Sequence, residues 1–212
     1  MLNNSWYTIN GYFSEDEGAK LQELSKGKVC LEIGSYCGKS SVCMGLVCQQ
    51  LYCIDTFKAD TSGQDQANGF TTLDEFIKNI VGLPIKYFIG KSEDVLPTID
   101  LEFDLVFIDG MHDYDSVMTD IYLSYPKLKS NGIMTFHDYG PYGFESVTNA
   151  IDNFFGKENI LDIEDQEEQL KAVAVFSALL DYQEKKRIKP MLSQSKSKES
   201  HWKIAGRRMG LR

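Results

Sequence analysis

The sequence predicts an α/β fold in which helices cover a doubly wound, Rossmann-like sheet of mostly parallel strands. Short apolar runs alternate with helix-like segments, these runs carry apolar residues on both faces, and they end in Gly or an acid. Strands that are apolar on both faces are typical of a sheet that is covered on both sides. Strand–helix alternation indicates βαβ units and therefore a parallel sheet.

Five strands and five helices are predicted in turn between residues 14 and 155. The strands are expected at 28–34, 51–55, 85–90, 103–109 and 132–138. The helices are expected at about 14–25, 40–49, 71–81, 114–129 and 143–155. Ser14 and Glu17 have the spacing of a capping box, which predicts the start of the first helix.

Beyond residue 156 the strand–helix alternation stops. Two strand-like runs at 159–165 and 170–178 lie close together around an acidic stretch, and we interpret them as a hairpin that adds an antiparallel edge strand. The chain is therefore divided into one Rossmann-like domain, 1–182, and a basic C-terminal tail, 183–212. The tail is polar with few apolar residues, so we expect a solvated segment or a loosely docked helix.

Charge is unevenly distributed between these two parts. The tail carries ten Lys or Arg residues and two acids, a net charge of +8. Residues 1–182 carry 12 basic and 29 acidic residues, a net charge of −17. Because an acidic body is not a general nucleic-acid-binding surface, a nucleic-acid partner is expected only through the tail.

Composition and cysteine spacing indicate the compartment. No apolar run approaches the length that spans a bilayer, and the N-terminus has neither the basic start nor the apolar stretch of a secretory signal. The five cysteines lie between residues 30 and 53 without a C-x-x-C pair or an interleaved histidine. This spacing favours reduced, mostly buried thiols over zinc or disulfides. We expect a cytoplasmic protein that has no membrane partner.

The turn after the first strand has the features of a nucleoside-binding site. Gly34 permits a sharp turn there, and Gly38 opens the next helix, whose N-terminal amides favour an anion. Asp55 ends the second strand, 21 residues after Gly34, where an acid can accept both hydroxyls of a ribose. The spacing G-x-x-x-G differs from the dinucleotide fingerprint G-x-G-x-x-G. Together these residues predict a nucleoside-containing ligand.

Glu32-x-Gly34-x-x-x-Gly38 followed by Asp55 resembles the first two motifs of class I S-adenosylmethionine (SAM)-dependent methyltransferases. Ser92-Glu93 falls where such enzymes cover the adenine. The resemblance implies SAM as the cofactor and a seven-stranded methyltransferase sheet with a reversed last strand. It implies the following cofactor-binding residues: Glu32, Gly34, Ser35, Tyr36, Gly38, Ser40, Asp55, Thr56, Ser92, Glu93 and Asp109.

The segments FIDGMHDYDSVMTDI (107–121) and LKSNGIMTFHDY (128–139) are similar to a narrower subfamily. They resemble the metal-dependent sugar O-methyltransferases of macrolide and aminocoumarin biosynthesis, and the whole resemblance covers residues 10–180. It implies metal-assisted O-methylation of a hydroxylated small molecule, such as a sugar or glycoside. Magnesium or manganese would be held by Asp109, His137 and Asp138, and His112 would be the general base.

The chemistry of these side chains supports a metal site. Asp109 ends the fourth strand and His137 and Asp138 end the fifth, so all three are expected at the edge where such folds bind ligands. Two close carboxylates repel each other unless a cation or proton lies between them. Oxygen ligands suit magnesium or manganese, and an imidazole favours a transition metal. Because adjacent strand residues point to opposite faces, His137 and Asp138 reach one ion only if the chain turns directly after Phe136.

The remaining polar residues of this region have simpler interpretations. Asp113 is expected to cap the next helix, and Asp115 to be a solvated first-turn acid. Asp120 either faces solvent or braces the turn below the site, and the simpler alternative for His112 is a surface-loop histidine. Two further elements are candidates for the acceptor pocket and its lid: Tyr139 with Tyr142, and the polar loop 58–69.

Two other hypotheses stay open at this point. One is an NAD(P)-dependent oxidoreductase, against which the missing G-x-G-x-x-G counts. The other is a non-catalytic nucleoside-binding module that docks on a partner through its basic tail. The sequence does not identify the methyl acceptor, and it is compatible with a homo-oligomer.

Overall fold

The computed structural model describes residues 6–58, 72–140 and 143–155, together with three strands beyond them. Within these ranges the sheet contains five consecutive parallel strands in the order β3-β2-β1-β4-β5. Their bounds are β1 Val29–Ile33, β2 Gln50–Asp55, β3 Ile85–Ile89, β4 Phe103–Ile108 and β5 Leu128–Phe136. The predicted α/β class with a mainly parallel, Rossmann-like sheet is confirmed.

Six α-helices flank these strands in the described part of the chain. They are α1 Glu15–Ser25, α2 Lys39–Gly45, α3 Thr72–Asn79, α4 Ser92–Val95, α5 Tyr114–Ser124 and α6 Glu145–Phe155. Helix α5 ends earlier than predicted because a 3₁₀ turn with a proline in its first positions, Tyr125–Lys127, follows it. Strand β5 consequently begins at Leu128, four residues before the predicted start. No described helix is long and apolar enough to cross a membrane.

The far edge of the sheet differs from the prediction. Strands β6 Ile160–Asp162, β7 Lys171–Val175 and β8 Lys203–Arg207 continue the sheet in the order β5-β7-β8-β6. Strand β7 is parallel to β5, and β8 is antiparallel to both β7 and β6. The predicted hairpin between 159–165 and 170–178 is wrong, because β8 lies between the two strands. Residues 203–207 form a strand rather than the expected solvated segment or helix, since they pair with the backbone edges of β7 and β6.

Two hydrophobic clusters fill the two faces of the sheet. Alternate residues of β4 enter different clusters: Val106 and Ile108 enter one, and Leu105 and Phe107 enter the other. All four side chains are buried. The double-sided apolar pattern therefore identified central strands correctly. The cysteines are free thiols, and four of the five are buried.

The backbone of helix α1 packs closely against the aromatic ring of Trp6. Its predicted capping box is present: the Ser14 hydroxyl accepts from the Glu17 backbone, and the Glu17 carboxylate accepts from the Ser14 backbone. Gly18 leaves the space that the ring of Trp6 fills, since a Cβ built at Gly18 would lie 2.1 Å from that ring. Trp6 in turn packs edge-on against Phe13. These contacts fix the position of the first helical turn.

We expect Gly18→Ala to lower the free energy of unfolding by about 1–3 kcal/mol, because the added methyl group overlaps the Trp6 ring. Alanine has the higher helix propensity, so destabilisation would identify the packing contact as dominant. Urea denaturation provides the measurement. In a Trp6→Leu background, where the smaller side chain leaves space, the penalty should shrink. A Gly18→Ala variant that is more stable than the wild type would contradict this interpretation.

Candidate active site

Backbone hydrogen bonds at and next to Gly34 connect the C-terminal ends of β1, β2 and β4. Its backbone N–H donates to the Ile54 carbonyl at 2.9 Å, and the Asp109 N–H donates to the Ile33 carbonyl at 2.8 Å. Gly34 has a positive φ of 90°, and a Cβ built there would lie 2.0 Å from the Asp109 carbonyl oxygen. Only glycine fits this close approach. The glycine turn and Asp109 are therefore adjacent at the carboxyl edge of the sheet.

Asp55 holds the turn that follows Gly34. Its Oδ2 accepts from the backbone N–H groups of Ser35 and Tyr36, each at 2.7 Å. Its Oδ1 accepts from the backbone N–H of Phe57 at 2.6 Å. Tyr36 has a positive φ of 46° within this turn. Asp55 thus stabilises the loop from which a nucleoside would be bound, and ribose recognition by its remaining lone pairs stays a prediction.

Glu32 supports the same turn from inside the protein. The residue is fully buried and accepts from the hydroxyls of Ser35 at 2.7 Å and Ser40 at 2.6 Å, and also from the Ser41 hydroxyl. The Cys53 thiol lies 3.2 Å from the same carboxylate. Burial raises the pKa of Glu32, an effect that these hydrogen bonds oppose. Glu32 and Ser40, both predicted to bind the cofactor, are therefore hydrogen-bonded to each other. Gly38 is the N-cap of α2 and has a left-handed backbone conformation.

The three other predicted cofactor contacts are Thr56, in the loop after β2, and Ser92 and Glu93, in the first turn of α4. Thr56 accepts from the Lys58 backbone at 3.3 Å, and Glu93 is exposed beside Lys91 at 3.1 Å. The Ser92 hydroxyl donates to the buried carboxylate of Asp120. Burial raises the pKa of Asp120 to about 6, against the effect of the Ser92 hydrogen bond. Asp120 is buried, so the interpretation in which it faces solvent is wrong, and its carboxylate holds the start of α4 through Ser92.

Asp109, His137 and Asp138 converge at the ends of β4 and β5. One potential ligand atom from each lies within 4.8 Å of the others. Strand β5 ends at Phe136, and Asp138 adopts a left-handed conformation with φ of 60°. The chain therefore turns directly after the strand, which is the condition for His137 and Asp138 to reach one point.

Glycine and a backbone hydrogen bond maintain this turn. A Cβ built at Gly143 would lie 1.9 Å from the Asp138 carbonyl oxygen. The Phe144 N–H donates to the same carbonyl at 3.1 Å. The segment before α6 consequently packs directly over Asp138.

An imidazole lies between the two carboxylates. His137 Nδ1 is 2.8 Å from Asp138 Oδ2 and 3.3 Å from Asp109 Oδ1. Burial alone would lower the pKa of His137, but the facing carboxylates outweigh it and raise that pKa to about 10. Burial raises the pKa of Asp109 to about 7. Burial also opposes ionisation of Asp138, but hydrogen bonds from His112 and His137 hold its pKa well below the usual range.

His112 belongs to the same group of side chains. Its Nε2 lies 3.1 Å from Asp138 Oδ2, and the hydrogen bond raises the pKa of His112. The ring stacks on Phe144 with centroids 4.3 Å apart and an interplanar angle of 7°. The Ser146 hydroxyl donates to the His112 carbonyl. The Asp138 and Phe144 contacts orient the ring and the Ser146 contact holds the backbone, so His112 is not an unattached surface-loop histidine.

The neighbouring polar residues follow their simpler interpretations. Asp113 caps α5 by accepting from the Ser116 backbone at 3.0 Å, and Asp115 is exposed in the first turn. The Tyr139 hydroxyl donates to Asp152 at 2.9 Å, so this residue is held by α6 and packs on the core. Tyr142 and loop residues 59–69 lie outside the described residues.

A family profile described as "Methyltransferase domain" (Methyltransf_24) matches residues 31–139, just over half of the chain. The chain belongs to this methyltransferase family. The matched segment begins within β1 and ends directly after Asp138. It therefore contains both the glycine turn and the acid–histidine group, which we define as Asp109, His112, His137 and Asp138. This membership favours the methyltransferase hypothesis over the oxidoreductase one.

Solved structures resemble this methyltransferase in fold. A Clostridium thermocellum protein described as an rRNA methylase is 12% identical, with a TM-score of 0.52 over 92% of this chain and 96% of its own. The Streptococcus mutans protein SMU.1697c, described as a methyltransferase in complex with S-adenosylhomocysteine (SAH), is 12% identical, with a TM-score of 0.51 over 73% and 91%. The O-methyltransferase NovP is 17% identical, with a TM-score of 0.50 over 70% and 73%. A search of the curated proteins finds no match.

Sequence reasoning did not find two residues that contact the site. Phe144, which stacks on His112, follows a Gly-rich stretch and resembles an ordinary loop aromatic in the sequence. Glu17 lies 3.9 Å from His137, but the capping box already accounted for an acid at that position. Glu17 carries no sequence signal for the site because α1 is distant in the chain from β5, and Phe144 carries none because its stacking partner, His112, is 32 residues away.

We expect Asp55→Asn to destabilise the methyltransferase by about 1–3 kcal/mol in chemical denaturation. The amide group replaces an accepting oxygen with a donor, so at least one backbone N–H of the turn loses its partner. Asp100→Asn, which changes an exposed acid, should leave the free energy of unfolding within about 0.5 kcal/mol. Equal stability of Asp55→Asn and Asp100→Asn would show that the turn does not depend on this carboxylate.

Proposed function

We propose that this methyltransferase transfers the methyl group of SAM to a hydroxyl oxygen of a small molecule, with assistance from a divalent metal. A sugar or glycoside is the favoured acceptor class, as the resemblance of residues 107–121 and 128–139 to the sugar O-methyltransferases implies. The observation that carries the proposal is the convergence of Asp109, His137 and Asp138 beside His112 at the carboxyl edge of the sheet. A group of this composition suits deprotonation of a hydroxyl.

The turn from Gly34 to Gly38 is the proposed binding site of the cofactor. Family membership supports SAM as the methyl donor, and the turn packs the Gly34 backbone against the Asp109 carbonyl and leads into the start of α2. Helix N-terminal amides favour a carboxylate such as that of the methionine moiety. The methyl group would then lie on the same side of the sheet as the acid–histidine group.

The donor atoms of Asp109, His137 and Asp138 fit a divalent cation. Two carboxylates and one imidazole nitrogen form a mixed oxygen and nitrogen set that manganese accepts readily and magnesium less so. The turn after Phe136 directs His137 and Asp138 towards Asp109 at the end of β4, and the two carboxylates supply the negative charge that a cation neutralises. When bound, the cation supplies Lewis-acid charge that lowers the pKa of an acceptor hydroxyl.

The reaction is an in-line displacement at the methyl carbon. The acceptor oxygen forms a bond to this carbon while the carbon–sulfur bond breaks and its electron pair returns to sulfur, which gives SAH. The hydroxyl proton passes to His112. Because Nε2 of His112 is directed to Asp138, Nδ1 is the nitrogen that accepts the proton. Stacking on Phe144 holds the ring in that orientation.

Charge argues against an RNA acceptor, although one fold relative is described as an rRNA methylase. Residues 1–182 carry a net charge of −17, which repels a phosphate backbone. The basic tail, 183–212, offers the only large positive charge in the sequence, and we propose no acceptor role for it.

Calorimetry with SAH and a hydroxyl-acceptor screen with and without Mn²⁺ test this function. We expect wild-type protein to bind SAH and to show turnover that Mn²⁺ stimulates and a chelator abolishes. Asp138→Asn should keep SAH binding and lose the metal stimulation, because asparagine tolerates the left-handed backbone but is a poor metal ligand. Asp113→Asn, which preserves a helix cap, is the matched control. Turnover that survives the chelator would contradict the metal role, and absence of SAH binding would contradict the cofactor.

We expect His112→Gln to lower turnover by roughly 10²–10⁴-fold without weakening Mn²⁺ affinity, because a glutamine cannot accept the hydroxyl proton. Initial rates and Mn²⁺ titrations on the same preparation provide the measurement. An unchanged rate would show that His112 is not the base. A parallel loss of Mn²⁺ affinity would instead place it among the residues that hold the metal.

A further inference from the structure

Two buried polar atoms that make no hydrogen bond among the described residues face each other behind the candidate metal site. Glu17 Oε1 and His137 Nε2 are 3.9 Å apart, and both residues are more than nine-tenths buried. This separation is about 1 Å longer than a hydrogen bond. A small movement of either side chain would therefore bring the carboxylate within reach of the ring N–H.

The two nitrogens of His137 have different surroundings. Nδ1 faces Asp109 and Asp138, at 3.3 and 2.8 Å, whereas Nε2 faces Glu17 and the first turn of α1. A histidine that binds a metal through one nitrogen carries its proton on the other. That second nitrogen usually donates to a carboxylate or carbonyl, which fixes the tautomer and the ring orientation. Among the described residues, Glu17 is the carboxylate in this position.

Capping of α1 does not require the oxygen that faces His137. Glu17 Oε2 alone accepts from the Ser14 backbone at 2.8 Å and from the Ser14 hydroxyl at 2.7 Å. These bonds leave Oε1 inside the protein without a donor, which is costly for an ionised group. The packing of Trp6 against Gly18 fixes the backbone next to Glu17, so the carboxylate is held in place.

We propose that Glu17 is a positioning residue that accepts the Nε2–H of His137 and thereby directs the Nδ1 lone pair to the metal. This inference rests on the proposed metal site. It assigns the N-terminal helix a function beyond covering the sheet: α1 carries the group that selects the tautomer of a metal ligand on β5. Glutamine cannot replace Glu17 in this role, because its one oxygen serves either Ser14 or His137 and its amide group opposes the other.

The test measures Mn²⁺ binding by calorimetry in the absence of cofactor and acceptor. We expect Glu17→Gln to weaken Mn²⁺ affinity by about 10-fold or more. Glu15→Gln, which removes the same charge from an exposed position in the same helical turn, should match the wild type. In a His137→Gln background, Glu17→Gln should cause no further loss, because the ring it positions is absent.

Nitrogen-detected NMR with diamagnetic Mg²⁺ gives a second readout, in which the tautomer is measured on the wild-type protein itself. We expect His137 to be the Nε2–H tautomer, its signals assigned by their loss in His137→Gln. An Nδ1–H tautomer with Mg²⁺ bound would overturn the role of Glu17. Equal Mn²⁺ affinities of Glu17→Gln and wild type would overturn it as well, while leaving the proposed metal site intact. If the wild type binds neither Mn²⁺ nor Mg²⁺, the metal site and the role of Glu17 both fail.

Discussion

The close approach of the Gly34 backbone to the Asp109 carbonyl is the constraint on which the rest of the candidate site depends. It joins the exit of β1 to that of β4 with no room for a side chain. The glycine turn lies on one side of this contact and the acid–histidine group on the other. Because backbone connects them, the separation between a methyl donor and an acceptor hydroxyl would be set by the sheet itself rather than by mobile side chains.

The second constraint is electrostatic. Asp109 and Asp138 lie at the ends of adjacent strands, and a site with both carboxylates ionised requires positive charge between them. His137 supplies it in this structure by bonding to both. His112 and Glu17 extend the same group in opposite directions, towards the solvent-exposed side and towards α1. Three carboxylates therefore face the His137 imidazole, and His112 joins them through Asp138. A change at one of these residues alters the surroundings of the others.

The sequence predicted the parts of this architecture that depend on local pattern. The five parallel strands β1 to β5 follow from their apolar runs, and the meeting of Asp109 with Asp138 follows from the adjacency of their strands. Strand order beyond β5 was not predictable, because an edge segment such as 203–207 adopts its structure only when it pairs with a neighbour. The position of His137 was also undetermined, since strand alternation ceases to apply at the left-handed Asp138. The proximity of Glu17 to His137 was not predictable, because the capping box with Ser14 already explained an acid at this position.

The three hydrogen bonds that Asp55 accepts from backbone N–H groups also affect the kinetics of ligand binding. The turn formed by Ser35 and Tyr36 is already in one conformation before a ligand arrives, so its ordering entropy is part of folding and not of association. A ligand that enters this turn therefore meets a preformed surface. Its association rate at the turn should depend on diffusion and charge, and its residence time should reflect the contacts made after entry.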